Sequence, residues 1–106
     1  MPRTPKRLAG PLSITGASAT RYTTPASTKT ILRHLHFSNP TGGALTITAS
    51  IGADAAGLRL FDAYSLAAGA VLDHFCYYVL EAAEILAANA SGAIVMTVDG
   101  DEYTLG

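Results

Sequence analysis

The side chains able to do chemistry fall in two short stretches. Ile31-Leu32-Arg33-His34-Leu35-His36-Phe37 carries two histidines one residue apart, and Val71-Leu72-Asp73-His74-Phe75-Cys76-Tyr77-Tyr78 adds a third histidine, an aspartate and the single cysteine. Alternate residues of a strand share a face, so His34 and His36 point the same way. If a neighbouring strand brings His74 to them, three imidazoles converge, and a fourth ligand or a water completes a zinc site. Asp73 and Cys76 are the possible helpers, although alternation turns Asp73 to the face opposite His74. The plainer expectation is that these histidines lie on a wet or interfacial strand face. Neither a metal nor a cofactor is expected.

Nucleophilic catalysis has less support. Cysteine, histidine and aspartate are all present, but no Gly-x-Ser-x-Gly elbow, phosphate loop or paired-cysteine spacing accompanies them. The stretch Gly52-Ala53-Asp54-Ala55-Ala56-Gly57 offers one carboxylate, too few for a calcium cage. A lone Cys76 cannot form an intrachain disulfide, and a small buried thiol is the expected role. No catalytic residue is assigned, and the chain reads as a non-enzyme.

The elements that must position these residues are strands. Residues 28–51 form the centre of the pattern and read as two long strands joined by a tight turn at Asn39-Pro40-Thr41-Gly42-Gly43. Odd positions Ile31, Arg33, Leu35 and Phe37 oppose His34, His36 and Ser38, with Arg33 a charged interruption. In the second strand Leu45, Ile47, Ala49 and Ile51 oppose Thr46, Thr48 and Ser50. Both strands can bury one face and wet the other, as an antiparallel sheet requires.

Short strands are expected around Leu12–Ile14 and Thr20–Thr23, and Leu58–Leu66 reads as one strand or two pieces. Val71–Leu80 is apolar on both faces, so it is either covered on both sides or turned toward a partner. Glu81–Asn89 has helical composition, yet a turn at 81–83 followed by a strand through Ile85 and Ala87 fits the cadence better. Asp99-Gly100 predicts a hairpin turn between Ala93–Val98 and Asp101–Leu105. The whole reads as all-β: a single-domain, jelly-roll-like β-sandwich of about eight short antiparallel strands, residues 12–106. Residues 1–11, with three prolines and the bases Arg3, Lys6 and Arg7, read as an extended basic arm.

Composition narrows the function. The chain has 106 residues, 49% of them hydrophobic and only 14% charged, a balance that suits strand faces meeting other protein. Six bases precede the first acid, Asp54, and Arg59 is the only base after it. Such lopsidedness fits a basic arm for nucleic acid, a basic arm lying on an acidic partner or neighbouring copy, or an accident of few charges. Nucleic acid is the weakest of the three, because the basic cluster is thin and lacks an aromatic platform. No apolar run suggests a secretory leader or a membrane span. Synthesis in the cytoplasm is expected.

Three segments carry a resemblance. Lys6–Ile14, Tyr22-Thr-Thr-Pro-Ala26 with Thr30–Asn39, and Leu45–Asp54 resemble small virion proteins encoded in tailed-phage structural modules. In those proteins a Tyr-x-x-Pro-Ala turn leads into a long strand ending in Asn, an x-Ala-Gly turn precedes another strand, and a Leu-x-Ala-x-Glu turn follows; Leu80-Glu-Ala-Ala-Glu84 is similar to that last turn. The resemblance covers most of the chain and lies in strands and turns rather than a catalytic signature. It implies a β-sandwich virion component that decorates the capsid surface, bound to the major capsid protein and to other copies of itself, with a trimer favoured. Arg3, Lys6, Arg7 and Leu8 of the arm, with Tyr77 and Val79, are the candidate partner-binding residues. A tail or fibre module is the alternative, and a glycan-binding module using Tyr22, Tyr64 and Tyr103 is a more distant one.

Overall fold

The computed structural model describes residues 3–52 and 59–104. The loop expected over 53–57, with its single carboxylate Asp54, and the pairing expected of Leu105 lie outside the described residues. Eight strands and no helix occur among the described residues: β1 (Arg3–Ser13), β2 (Ala19–Thr23), β3 (Thr28–Ser38), β4 (Leu45–Ile51), β5 (Arg59–Leu66), β6 (Val71–Leu80), β7 (Ile85–Ala90) and β8 (Val95–Thr104). They form two four-stranded antiparallel sheets, ordered β1-β8-β3-β6 and β2-β7-β4-β5. The strand pairs β1–β8, β2–β7, β3–β6 and β4–β5 make the path that of one long hairpin, its tip at β4–β5, rolled into a sandwich.

The core lies between the sheets and matches large side chains with small ones. The first sheet contributes Leu32, Leu35, Phe37, Met96 and Val98, each fully buried, while the second contributes Ile47 and Leu86 beside Ala49, Ala88 and Ala90. Alternating bulky and small residues lets the two inner faces interdigitate. The small side of that packing, Ala49, Ala88 and Ala90, comes from the second sheet.

Arg33 marks where β3 changes its inward face. Thr28, Thr30 and Leu32 are buried before it, and Leu35 and Phe37 after it; Ile31 is buried too, but outside the core cluster to which Leu32, Leu35 and Phe37 belong. Against β8, Leu32 sits opposite Gly100 and His34 opposite Asp99, so Arg33 is an additional residue. A bulge of this kind inverts the inside–outside alternation. The expectation that Ile31 shares a face with Leu35 and Phe37 is thereby corrected: Ile31 lies on the outer face, where Val79 is its partner on β6.

Two expected hairpins take a different form. The Asn39–Gly43 turn is tight, but it carries the chain from one sheet to the other, because β3 and β4 do not pair. Buried Asn39 holds that corner. Its Nδ2 donates to the carbonyls of Gly43 at 2.8 Å, Leu66 at 3.0 Å and Ala67 at 3.3 Å, and its Oδ1 accepts from the Thr41 amide and hydroxyl. Asp99-Gly100 is not a turn; it runs in the middle of β8. A Cβ at Gly100 would meet the Ile31 carbonyl oxygen at 2.2 Å and Leu8 Cδ1 at 2.9 Å, so glycine serves close packing here.

Residues 3–11 belong to β1, the edge strand beside β8, so the stretch read as an arm is part of the sheet. Its prolines are tolerated because an edge strand leaves half its amides unpaired, and register shifts between Arg7 and Ala9 and between Ala9 and Leu12 absorb the irregularity. Glu81–Glu84 forms the expected turn, with the Glu84 amide donating to the Glu81 carbonyl at 3.0 Å, and β7 follows it.

Candidate functional site

Opposed residues in the register fix what the outer face of the β1-β8-β3-β6 sheet presents. Arg3 faces Tyr103 and Arg7 faces Asp99 on β8; Lys29 faces Tyr103, and His34 faces Asp99, on the β3 side. On β6, Val79 is opposite Ile31, Phe75 opposite His34, and Asp73 opposite His36. This face therefore gathers a basic edge at β1, an apolar edge at β6 and a polar cluster between them.

The apolar edge is the larger feature. Val71, Phe75, Tyr77 and Val79 are 56%, 76%, 62% and 46% exposed, whereas alternate residues Leu72, His74, Cys76, Tyr78 and Leu80 turn inward. Of the two readings open for Val71–Leu80, coverage on both sides is not met among the described residues. A depression of about 330 Å³ lies on this face, lined by Lys29, Ile31, Tyr77, Val79 and Tyr103. Arg33 bridges the band to the charged residues, its guanidinium carbon 5.0 Å from the Tyr77 ring centroid and its Nε donating to Asp101 at 3.1 Å. β6 pairs with β3 alone, so its other edge carries backbone groups outside any described ladder.

The polar cluster joins His34, His36 and Asp73. Asp73 Oδ1 lies 2.9 Å from His34 Nε2 and 2.6 Å from His36 Nδ1, and the three ligand-bearing atoms lie within 4.8 Å of one another. Hydrogen bonds from His36 and then His34 hold the Asp73 carboxyl below the ordinary aspartate range. Asp99 Oδ2 approaches His34 from the other side, 3.7 Å from Nδ1. Phe75 stacks on the His34 ring at 4.4 Å and 9°.

The grouping differs from the one the sequence favoured. His74 is turned inward, bonded to the Tyr78 hydroxyl at 3.0 Å and edge-on to Phe61, so it does not join the other two imidazoles. The alternation that removes His74 delivers Asp73 in its place. Cys76 is also turned inward, with Sγ 3.4 Å from the Leu32 carbonyl, and burial pushes its thiol pKa up, the opposite of nucleophile activation.

Of the expected partner-binding residues, Tyr77 and Val79 stand on the exposed band, and Arg3 and Arg7 are exposed on the opposite edge of the same sheet face. Lys6 and Leu8 are engaged within the chain: Lys6 Nζ pairs with Glu102 at 3.1 Å, and Leu8 packs against the core. The tyrosines suggested for glycan stacking are dispersed. Tyr22 is buried, Tyr64 is on β5 of the other sheet, and Tyr103 is on β8. Phe75 and Val71 complete the apolar edge, and the strict alternation of β6 was the signal that could have assigned them. No protein family, curated protein or solved structure matches the chain.

Proposed function

We propose that this chain is a non-enzymatic structural protein of a phage virion, which decorates and stabilises the capsid by binding the major shell protein and neighbouring copies of itself. The observation that carries the reading is the outer face of β6, where Val71, Phe75, Tyr77 and Val79 are all more than two-fifths exposed on one strand. An apolar band on a small domain, here Phe75, Tyr77 and Val79 in succession with Val71 beyond Asp73, marks a surface that another protein covers. Its neighbours suit an interface: Arg33 and Tyr77 supply the residue types that anchor binding energy, and Arg3 and Arg7 offer charge at the rim.

The strand order also supports the reading. Eight strands rolled as one long hairpin is the path of a jelly roll, an architecture that viral shell proteins share with lectins and cupins. Fold alone does not assign function. The resemblance of Lys6–Ile14, Tyr22–Ala26 with Thr30–Asn39, and Leu45–Asp54 to tailed-phage virion proteins favours the virion use among them. Many copies on one shell, with a trimer as the favoured cluster, make modest contacts per copy sufficient.

Copy number in purified virions, measured by quantitative mass spectrometry against the major shell protein, tests the role. A ratio near one per shell subunit, or a fixed large fraction of it, is expected of decoration. A few copies per particle would assign the chain to the tail or fibre base, and absence from particles would overturn the virion reading.

A further inference from the structure

The geometry points to a binding site for a divalent transition-metal ion, zinc being the first to try, made by His34 Nε2, His36 Nδ1 and Asp73 Oδ1. Two imidazoles and one carboxylate are a donor set that zinc accepts, with remaining positions left to water. In a tetrahedral zinc site with bonds of about 2.0–2.1 Å, the ligand atoms lie roughly 3.3–3.4 Å apart. Here Asp73 Oδ1 is 2.9 Å from one nitrogen and 2.6 Å from the other, and all three atoms lie within 4.8 Å. Small side-chain rotations therefore suffice to admit the ion, without movement of β3 or β6.

The surroundings are those of a supported ligand set. Metal at His34 Nε2 requires the imidazole proton on Nδ1, and Asp99 Oδ2 lies 3.7 Å from that nitrogen. At that distance the carboxylate favours the Nδ1 proton electrostatically without yet hydrogen-bonding it, and closing the gap would make the bond that fixes the tautomer of a ligating histidine. Stacking on Phe75 holds the ring plane, and the β3–β6 pairing sets His36 directly opposite Asp73. The three side chains are 23%, 35% and 43% exposed, so an ion reaches them from solvent. In the metal-free chain the Asp73 carboxylate accepts hydrogen bonds from both imidazoles. With the ion bound as the bridge, each neutral imidazole carries its proton on the other ring nitrogen, Nδ1 of His34 and Nε2 of His36, and any second proton of a charged imidazole leaves to solvent.

This inference is independent of the virion role and is tested on the full chain alone. Protein stripped with a chelator is titrated with Zn2+ by isothermal calorimetry at neutral pH, and its Tm is followed against Zn2+ concentration. Wild type is expected to take up one ion per chain and to gain Tm. His36→Ala and Asp73→Asn are expected to weaken binding at least about tenfold. His74→Ala, which removes the histidine turned inward, is expected to bind as wild type does. No uptake by wild type, undiminished uptake by both His36→Ala and Asp73→Asn, or loss of uptake on His74→Ala would each overturn the assignment.

Discussion

Gly100 passes so close to Ile31 that a Cβ at position 100 would stand 2.2 Å from the Ile31 carbonyl oxygen. The contact is backbone to side chain, with no flexible group to yield, and Leu8 closes the space from β1. Gly100→Ala is therefore expected to lower stability by about 1–3 kcal/mol or more, the range for overpacking a closed site. Denaturant unfolding checks it; Gly42→Ala, at an open position in the Asn39–Gly43 turn, should be close to neutral.

Asn39 is the polar residue on which the sheet-to-sheet corner depends. It is 1% exposed and satisfies carbonyls from the turn after β3 and from the end of β5. Asn39→Ala removes the amide that ties the buried Leu66 carbonyl to the corner, while the Ala67 and Gly43 carbonyls keep the Ala70 amide and the Thr41 hydroxyl. It also strips the Thr41 amide and hydroxyl of their shared acceptor, at about 1–3 kcal/mol for each buried group left unpaired. A loss of at least about 2 kcal/mol by chemical denaturation is expected. Thr41→Ala, which removes only one partner of Oδ1, should cost less.

Acid should destabilise the protein through Glu102. Desolvation opposes ionisation there, but hydrogen bonds from Tyr22 and Lys6, with the Lys6 charge, outweigh it and hold the carboxyl below the ordinary glutamate range. A carboxyl depressed in the folded state contributes stability above its unfolded pKa and loses it as pH falls through the folded value. Stability should therefore decline below the usual glutamate pKa. Tyr22→Phe should flatten that decline while lowering stability at neutral pH by about 1.5–3 kcal/mol, the worth of a hydrogen bond to a charged group. Unfolding curves from neutral pH into acid measure both effects.

The β1 strand and the charges upon it separate by mutation. Deleting residues 1–10 removes most of the pairing with β8 and the Leu8 packing, so the product should be markedly less stable or unfolded. The double change Arg3→Glu and Arg7→Glu leaves that pairing in place. It should fold with a Tm near wild type and bind shells less well in co-sedimentation.

Much of the architecture is legible in the sequence because period-two patterning survives wherever a strand has one buried face. β4 follows from it directly, whereas β6, apolar on both faces in the sequence, rests on its aromatic and β-branched residues and β7 on the cadence of turns. The parity of β3 was misread at one residue: Arg33 looked like a charge within a regular face, whereas it is the bulge that exchanges the two faces. Asp99-Gly100 carries the same local signal in a hairpin and in a tightly crossed strand, and only the Ile31 carbonyl above it decides between them. The candidate site was half legible. His34 and His36 share their face as spacing dictates, but the third member depended on which side of β6 looks outward. That is a tertiary fact, set by Leu72, Cys76, Tyr78 and Leu80 seating against the core.

The rolled path orders the birth of the molecule as well as its shape. Arg3 pairs with Tyr103, and the strand that joins them to the rest, β8, is the last of the eight to be synthesised. Until it leaves the ribosome, β1 has no partner and β3 has only β6, so the closing contacts span nearly the whole described sequence. Such non-local pairing is slow to form, because the loop must close before any contact rewards it. The face bearing Arg3, Arg7, Tyr77 and Val79 is complete only when β8 is in place, and a nascent chain therefore displays half of that face at most.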